Sequence, residues 1–419
     1  MSGRLVIIGS GETAPTMVKV HREVIGSSGP GAATMMDTPF GFQVNADDLT
    51  DKILEYFRDS VGSSLDVVRW RSRDEAVTER ERALALLSRA SWAFAGPGSP
   101  TYALRQWEGT PIPGALRDLV DRGGTLVMGS AAAVTVGAYA VPVYEIYKVG
   151  IEPHWLEGLD LLGSLTGITA AVVPHYDNRE GGRHDTRYCY LGEERLVRLE
   201  GALPEDIGVL GVDEHTAVIL DRESRTATVQ GVGGLTLRHR GVSTLLGSGE
   251  SVSFDDISRA LRGASVADGA SRAPAHSVAA PTAEPLGESL SLRAEVDRLR
   301  AAFDACLAAG DADGALAATL ELEDAIHAWS ADTVQGDHVD RARAALRGML
   351  VDLASAASTG LRDEREVLGP VVDVALAARQ LAREQRDFAM SDLVRDRLAA
   401  AGIEVRDTPD GPEWSLAAG

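Results

Sequence analysis

The stretch GGTLVMGSAAAVTVG (residues 123–137) decides how the chain is read. Its apolar run TLVMG passes without a spacer into Ser130 and three alanines. Apolar residues running straight into small ones predict a strand, a sharp turn and the start of a helix. Two readings of Ser130 are then open. Serine is a favoured helix N-cap, because its hydroxyl accepts a hydrogen bond from an orphaned backbone N–H. On a tight strand-to-helix turn the same hydroxyl can serve as a nucleophile, provided a base, an orienting carboxylate and oxyanion donors surround it. Ala131 can offer its N–H at the helix start, and Ala132 and Ala133 are small enough for backbone to approach.

Outward from this stretch the same alternation recurs. RLVIIGS, SLDVVRW, SWAFAGP, ITAAVVPHY and IGVLGVD are short apolar runs, separated by helical stretches such as DDLTDKILEYFRDSVG and ERERALALLSRA. Such βα alternation predicts an α/β fold with a mostly parallel sheet and helices on both faces. After residue 213, TAVILDRESRTATVQGVGGLTLRHRG reads as antiparallel hairpins closing the sheet edge. Residues 263–289 are rich in Ala, Ser, Pro and Gly without an apolar period, which predicts a flexible linker. From 290 to 419 apolar residues recur at three- and four-residue spacing, and a separate all-α domain is expected. The expected organisation is thus an α/β domain over 1–262, a linker over 263–289 and a helical domain over 290–419. At about 100–200 residues per domain, 419 residues agree with two or three.

Partners for Ser130 lie at strand ends. His175 in AVVPHYDN closes one predicted strand and Glu214 in LGVDEHTA the next, where open α/β sheets place their sites. Asp177 and Asp213 are the alternative carboxylates. GSGETAPT (residues 9–16) lacks the spacing of a phosphate-binding loop and reads as a tight turn lining the same cleft. Asp37 is placed to hold a loop by side-chain hydrogen bonds. The tyrosines of VPVYEIYKVG, at a three-residue interval, read as packing residues, and RHDTR, with His184, Asp185 and Arg187, reads as a polar loop.

Taken in order, these landmarks resemble the serine peptidases that include cyanophycinase and α-aspartyl dipeptidase. LVIIGSGE matches the first strand, FAGPGSPTYAL a Gly-Gly-containing loop, MGSAAA the Gly-x-Ser-Ala-Gly-Ala elbow, PHY the family histidine and GVDEHTAV an Asp-Glu-x-Thr-Ala strand. The resemblance implies a class I glutamine amidotransferase-like, flavodoxin-like sheet. It implies Ser130 as nucleophile, His175 as general base, Glu214 as orienting carboxylate, and the N–H groups of Gly98 and Ala131 as the oxyanion hole. Glu12, Ser99, Asp177 and Arg187 are candidates for substrate contact. The implied activity is hydrolysis of an amide or peptide bond in a small, aspartyl-containing substrate through an acyl-enzyme, with no cofactor and no metal. Serine at the elbow, where a glutaminase needs cysteine, implies no release of ammonia from glutamine. Met128 and Ala132 replace elbow glycines, and the residues around His175 do not keep the cyanophycinase pattern. The alternative is therefore a catalytically inactive member that binds a ligand or a partner.

RDFAMSDLVRDRLAAAGIEVRDTPDGPEW (residues 386–414) resembles the carboxyl terminus of cysteinyl-tRNA synthetases, and the helices from residue 290 resemble that enzyme's tRNA-binding domain. No His-Ile-Gly-His-like or Lys-Met-Ser-Lys-Ser-like motif accompanies it, so aminoacylation is not expected. Acidic residues outnumber basic ones by roughly ten over 290–419, which disfavours phosphate contacts. Arg379, Arg383, Arg386, Arg395 and Arg397 can form a stripe, though Asp387, Asp392 and Asp396 interleave with it. A protein-interaction or homodimerisation module is expected ahead of tRNA binding.

The whole chain carries 62 acidic against 41 basic residues, a formal charge of −21 that repels polyanions and anionic membranes. Cys189 and Cys306 are its two cysteines, far apart and without metal spacing, which points to a reducing compartment. The apolar run near the N-terminus is too short for a signal peptide or a membrane span, so a cytoplasmic protein is expected.

Overall fold

In the computed structural model the described residues are 3–178, 184–264, 292–329, 338–359, 364–408 and 411–416. The linker expected over 263–289 lies outside them from residue 265 on. By proximity the chain divides into two compact units, Met1–Ala294 with Asp324–Asp340, and Glu295–Glu323 with Arg341–Gly419.

The strands of the first unit are, in chain order, β1 (Arg4–Ile8), β2 (Ala32–Met36), β3 (Asp66–Val68), β4 (Ala90–Ala95), β5 (Thr125–Gly129), β6 (Tyr139–Ala140), β7 (Leu156–Glu157), β8 (Ala170–Val173), β9 (Gly208–Val212), β10 (Thr216–Asp221), β11 (Thr226–Gly231), β12 (Leu235–His239), β13 (Val242–Leu246) and β14 (Ser251–Ser253). They form two sheets, ordered β14-β11-β10-β1-β5-β4-β2-β3 and β13-β12-β9-β8-β6-β7. The β1, β5, β4, β2 and β3 pairings are parallel, as are β6–β8 and β8–β9. This is the expected α/β pattern, but the late hairpins are shared out: β10 and β11 extend the first sheet beside β1, while β12 and β13 edge the second.

β5 shows why the central strands read as unbroken apolar runs. All five of its residues are buried. Leu126 and Met128 join Leu5 and Ile7 in one apolar layer, while Val127 joins Val6, Ile8 and Phe94 in the other. A strand covered on both faces has no solvent side on which to alternate. At the carboxyl ends the two sheets are tied by backbone bonds. His175 N–H donates to Gly9 O (3.2 Å) and His215 N–H to Ser10 O (3.1 Å), while within the second sheet Tyr176 N–H donates to Val212 O (3.1 Å). The turns that follow β1, β8 and β9 therefore meet.

Beyond residue 291 the described chain consists of the helices Leu292–Ala308, Ala312–Ala328, His338–Thr359, Glu364–Glu384 and Phe388–Ala400, then β15 (Ile403–Thr408) and β16 (Gly411–Leu416). The helical expectation stops at Ala400. Ile403 and Val405 alternate with Glu404 and Arg406, a period of two that suits a strand, and they pair opposite Leu416 and Trp414. That face packs with Val372 and Leu376. Among the described residues no helix is long and apolar enough to cross a membrane.

Candidate active site

Gly129 ends β5 in extended conformation (φ −110°, ψ 153°), and Ser130 opens the helix Ser130–Thr135 with φ 45°. A left-handed conformation at a non-glycine residue costs about 1–3 kcal/mol and persists only where its surroundings enforce it. Here Ala132 N–H is pinned to Gly96 O at 3.2 Å. The helix start has no side-chain cap, so the capping reading of Ser130 is overturned. Its hydroxyl oxygen reaches across to the turn after β1 instead, and lies 2.8 Å from Glu12 Oε2, within hydrogen-bonding distance. Met128 and Ala132, the two departures from the elbow pattern, are both fully buried in the core layer with Ile7 and Ala95, and neither lines the cavity beside Ser130.

His175 follows β8, also with positive φ (48°). Its Nδ1 lies 2.8 Å from Glu214 Oε1. Facing a carboxylate, Nδ1 carries the hydrogen and donates, which leaves Nε2 as the basic nitrogen. The same Oε1 accepts from Asn178 Nδ2 at 3.1 Å. Burial alone would push the Glu214 carboxyl up, but the hydrogen bond and charge of His175, with the Asn178 amide, outweigh it and hold the group below its usual range. Asp177 serves this arrangement from behind, since Glu214 N–H donates to Asp177 Oδ1 at 2.7 Å. Tyr188, Cys189 and Tyr190 follow one another with φ of 59°, 58° and 66°. Their strained turn holds the histidine loop: Cys189 N–H donates to His175 O (3.0 Å) and Tyr188 N–H to Tyr176 O (2.9 Å). Burial, helped by the charge of Glu214, pushes the Cys189 thiol up to about 12, so it stays protonated at neutral pH.

Gly98, Ser130, Ala131 and His175 line one cavity of about 410 Å³, with Phe40, Tyr144, Tyr147, Lys148 and Tyr190 among its other walls. Gly98 has φ 141°, and a Cβ there would lie 2.0 Å from Pro39 O, so any other residue at this point forces the loop to shift. Ser99 caps the next helix, Pro100–Trp107, by accepting from Tyr102 N–H at 3.1 Å. Arg187 forks onto Asp185 with two bonds of 2.9 Å and is not a wall residue of this cavity. Asp37 holds its loop as expected, accepting from Trp70 N–H (3.1 Å) and Arg71 Nε (2.7 Å).

The sequence reading missed five contributors. Asn178 carries no motif of its own. Tyr144 and Tyr147, read as packing residues, and Lys148, given no role, line the cavity because Glu145–Val149 forms a wide π-type turn that a three-residue interval does not reveal. Lys148 Nζ sits 4.8 Å over the Tyr144 ring. His21 lies fully buried beneath the turn after β1, its Nε2 2.7 Å from Glu12 O.

With this geometry in view, two solved structures are similar to parts of the chain. A peptidase from an acI-B1 actinobacterium aligns with 60% of this chain and 97% of its own, at 19% identity and a TM-score of 0.49. A peptidase E protein from Listeria monocytogenes EGD-e aligns with 56% and 100%, at 14% identity and a TM-score of 0.38. At the other end, residues 365–414 match the family described as the cysteinyl-tRNA ligase anticodon binding domain. A cysteine–tRNA ligase of Arthrobacter sp. (strain FB24) is 42% identical over 112 residues, which is 24% of this chain and 22% of the ligase. The chain thus spans well under two thirds of that relative.

Proposed function

We propose that the first unit is a serine hydrolase that cleaves an amide or peptide bond in a small, aspartyl-containing substrate. The observation that carries this reading is the placing of Ser130, on a strained elbow, in one cavity with a histidine whose Nδ1 is fixed by Glu214. Ser130 Oγ attacks the carbonyl carbon while its proton passes to His175 Nε2, and the N–H groups of Gly98 and Ala131 receive the oxyanion. The imidazolium returns the proton to the leaving amine, and water resolves the acyl-enzyme by the same relay. Lys148 gives the cavity wall an ammonium for an acidic side chain. The test is labelling of the full chain by a fluorophosphonate, with Ser130→Ala as control. Labelling confined to the chain with Ser130 supports the assignment, and equal labelling of both removes it.

For the terminal unit we infer contact with protein, including a second copy of the chain, rather than with tRNA. Arg379 and Arg383 both bond Asp407, and Arg395 faces Asp392 and Asp396, so these stripe arginines are already engaged internally. Val367, Val371 and Val374, one helical face of Glu364–Glu384, are exposed. Sedimentation of the full chain tests self-association, and salt-sensitive binding of tRNA at low ionic strength would favour the nucleic-acid reading instead.

A further inference from the structure

Glu12, which the sequence places among the substrate contacts, is buried with 1% exposure. Its Oε2 faces Ser130 Oγ at 2.8 Å, while its Oε1, equally buried, has no hydrogen-bond partner among the described residues. The carboxyl occupies a slot that glycine keeps open on two sides. A Cβ on Gly129 would approach Glu12 Cδ to 3.1 Å, and one on Gly96 would approach Oε1 to 2.9 Å. From beneath, His21 Nε2–H donates to Glu12 O at 2.7 Å. Burial holds that imidazole down at about 4, so it is neutral and brings no charge to the slot.

An ionised carboxylate here would leave one buried oxygen bare, an arrangement proteins avoid by protonating the group or supplying a donor. Resting on the hydrolase reading of Ser130, we propose that Glu12 is a positioning residue which, as a neutral acid, donates its own O–H to Ser130 Oγ and thereby turns the serine hydrogen toward His175 Nε2. A 2.8 Å separation between two oxygens accommodates either direction of donation. Ionised, Glu12 takes the serine hydrogen and withholds it from the base. Neutral, it releases that hydrogen. Glu12 keeps its own proton throughout: the serine proton goes to Nε2 as Oγ bonds the carbonyl carbon.

The groups that act on this carboxyl can be named. Burial raises its pKa, while its own backbone N–H, the Ser130 hydroxyl and the charge of His175 pull the other way, and the net direction is up. The neutral form thus persists above the usual carboxylate range, and the competent arrangement is lost as pH rises through the Glu12 pKa. Together with the need for a neutral His175, this gives a bell-shaped profile.

Infrared difference spectroscopy on the full chain tests the proton directly. At pH 7 the wild type should show a protonated-carboxyl band that shifts in Ser130→Ala and is absent in Glu12→Gln. Glu12→Gln keeps the shape and a donating N–H but does not titrate. Its fluorophosphonate labelling should stay within about threefold of wild type and lack the fall at high pH, whereas Glu12→Leu should label roughly a hundredfold more slowly. Near-UV circular dichroism checks that each variant is folded. Absence of the band at pH 7, or Glu12→Gln labelling as slowly as Glu12→Leu, overturns the proposal. A wild-type band that shifts as expected in Ser130→Ala, in a protein whose wild type takes no label, supports the neutral Glu12–Ser130 pair and removes the hydrolase reading alone.

Discussion

His175 Nδ1 and Glu214 Oε1 stand 2.8 Å apart, and Asn178 Nδ2 bonds the same oxygen at 3.1 Å. A carboxylate shared between two donors, with its own N–H tied to Asp177, cannot swing away from the ring. Since His175 pulls the Glu214 carboxyl down against its burial, the same interaction must favour imidazolium over imidazole.

Glu214→Gln should therefore move the acid limb of the kcat/KM profile to lower pH, because the ring loses its anionic partner. The rate should fall about 10²–10⁴-fold as the ring loses its orienting charge. Profiles of both proteins on one substrate make the comparison. An unchanged midpoint and rate would take Glu214 out of the relay. Neither neighbouring acid is a ready substitute, since Asp213 Oδ2 already accepts from Gly234 N–H at 2.8 Å and Asp177 holds the Glu214 backbone.

Lys148→Met should raise KM about tenfold for substrates with an acidic side chain and leave neutral ones nearly unaffected, the worth of one charge-assisted hydrogen bond at a partly wet wall. The readout is KM across a matched pair of dipeptides. Equal changes for both members would assign Lys148 to packing on Tyr144.

The legible parts of this molecule are those written in neighbouring residues. TLVMG running into Ser130 already encodes the elbow, and His175 and Glu214 each close an apolar run, so their place at strand ends could be read from local pattern and family resemblance. The Glu12–Ser130 bond spans 118 positions and has no local signal. Nor does the division into two sheets, because the run that becomes β10 looks the same whether it pairs with β1 or with β9. The late strands β15 and β16 were hidden by a different cause: six-residue segments beside long helices carry too few alternations to stand out.

Gly98→Ala puts a methyl 2.0 Å from Pro39 O in a backbone with φ 141°, so the loop must shift. The expected result is a folded protein with a lower Tm and with kcat reduced about 10²–10³-fold, the usual effect of losing one oxyanion donor. KM should change less. A variant with unchanged kcat would exclude the Gly98 N–H from the oxyanion hole.

In the terminal unit Arg379, its side chain 6% exposed, donates Nη1 and Nη2 to Asp407 Oδ1 (2.7 Å) and Oδ2 (2.9 Å), and Arg383 Nη1 adds a bond of 3.0 Å. The Arg379 fork holds the Asp407 carboxyl down to about 2, from the usual 3.8. A depressed carboxylate stabilises the fold fully above its unfolded pKa, and that contribution is lost as pH falls through the folded value. Asp407→Asn should thus destabilise the hairpin of β15 and β16 at neutral pH by about 1–3 kcal/mol. The half-exposed carboxylate, at 47%, places the effect near the lower end. Hydrogen exchange on the full chain reads the change: amides of Ile403–Thr408 should exchange faster in the variant while those of β1 and β5 stay as they were. The variant's hairpin should also lose less further protection than wild type when the pH is lowered toward 2. Equal protection in the two proteins at neutral pH would show that apolar packing of Ile403 and Trp414, and not the arginine fork, holds the strand in place.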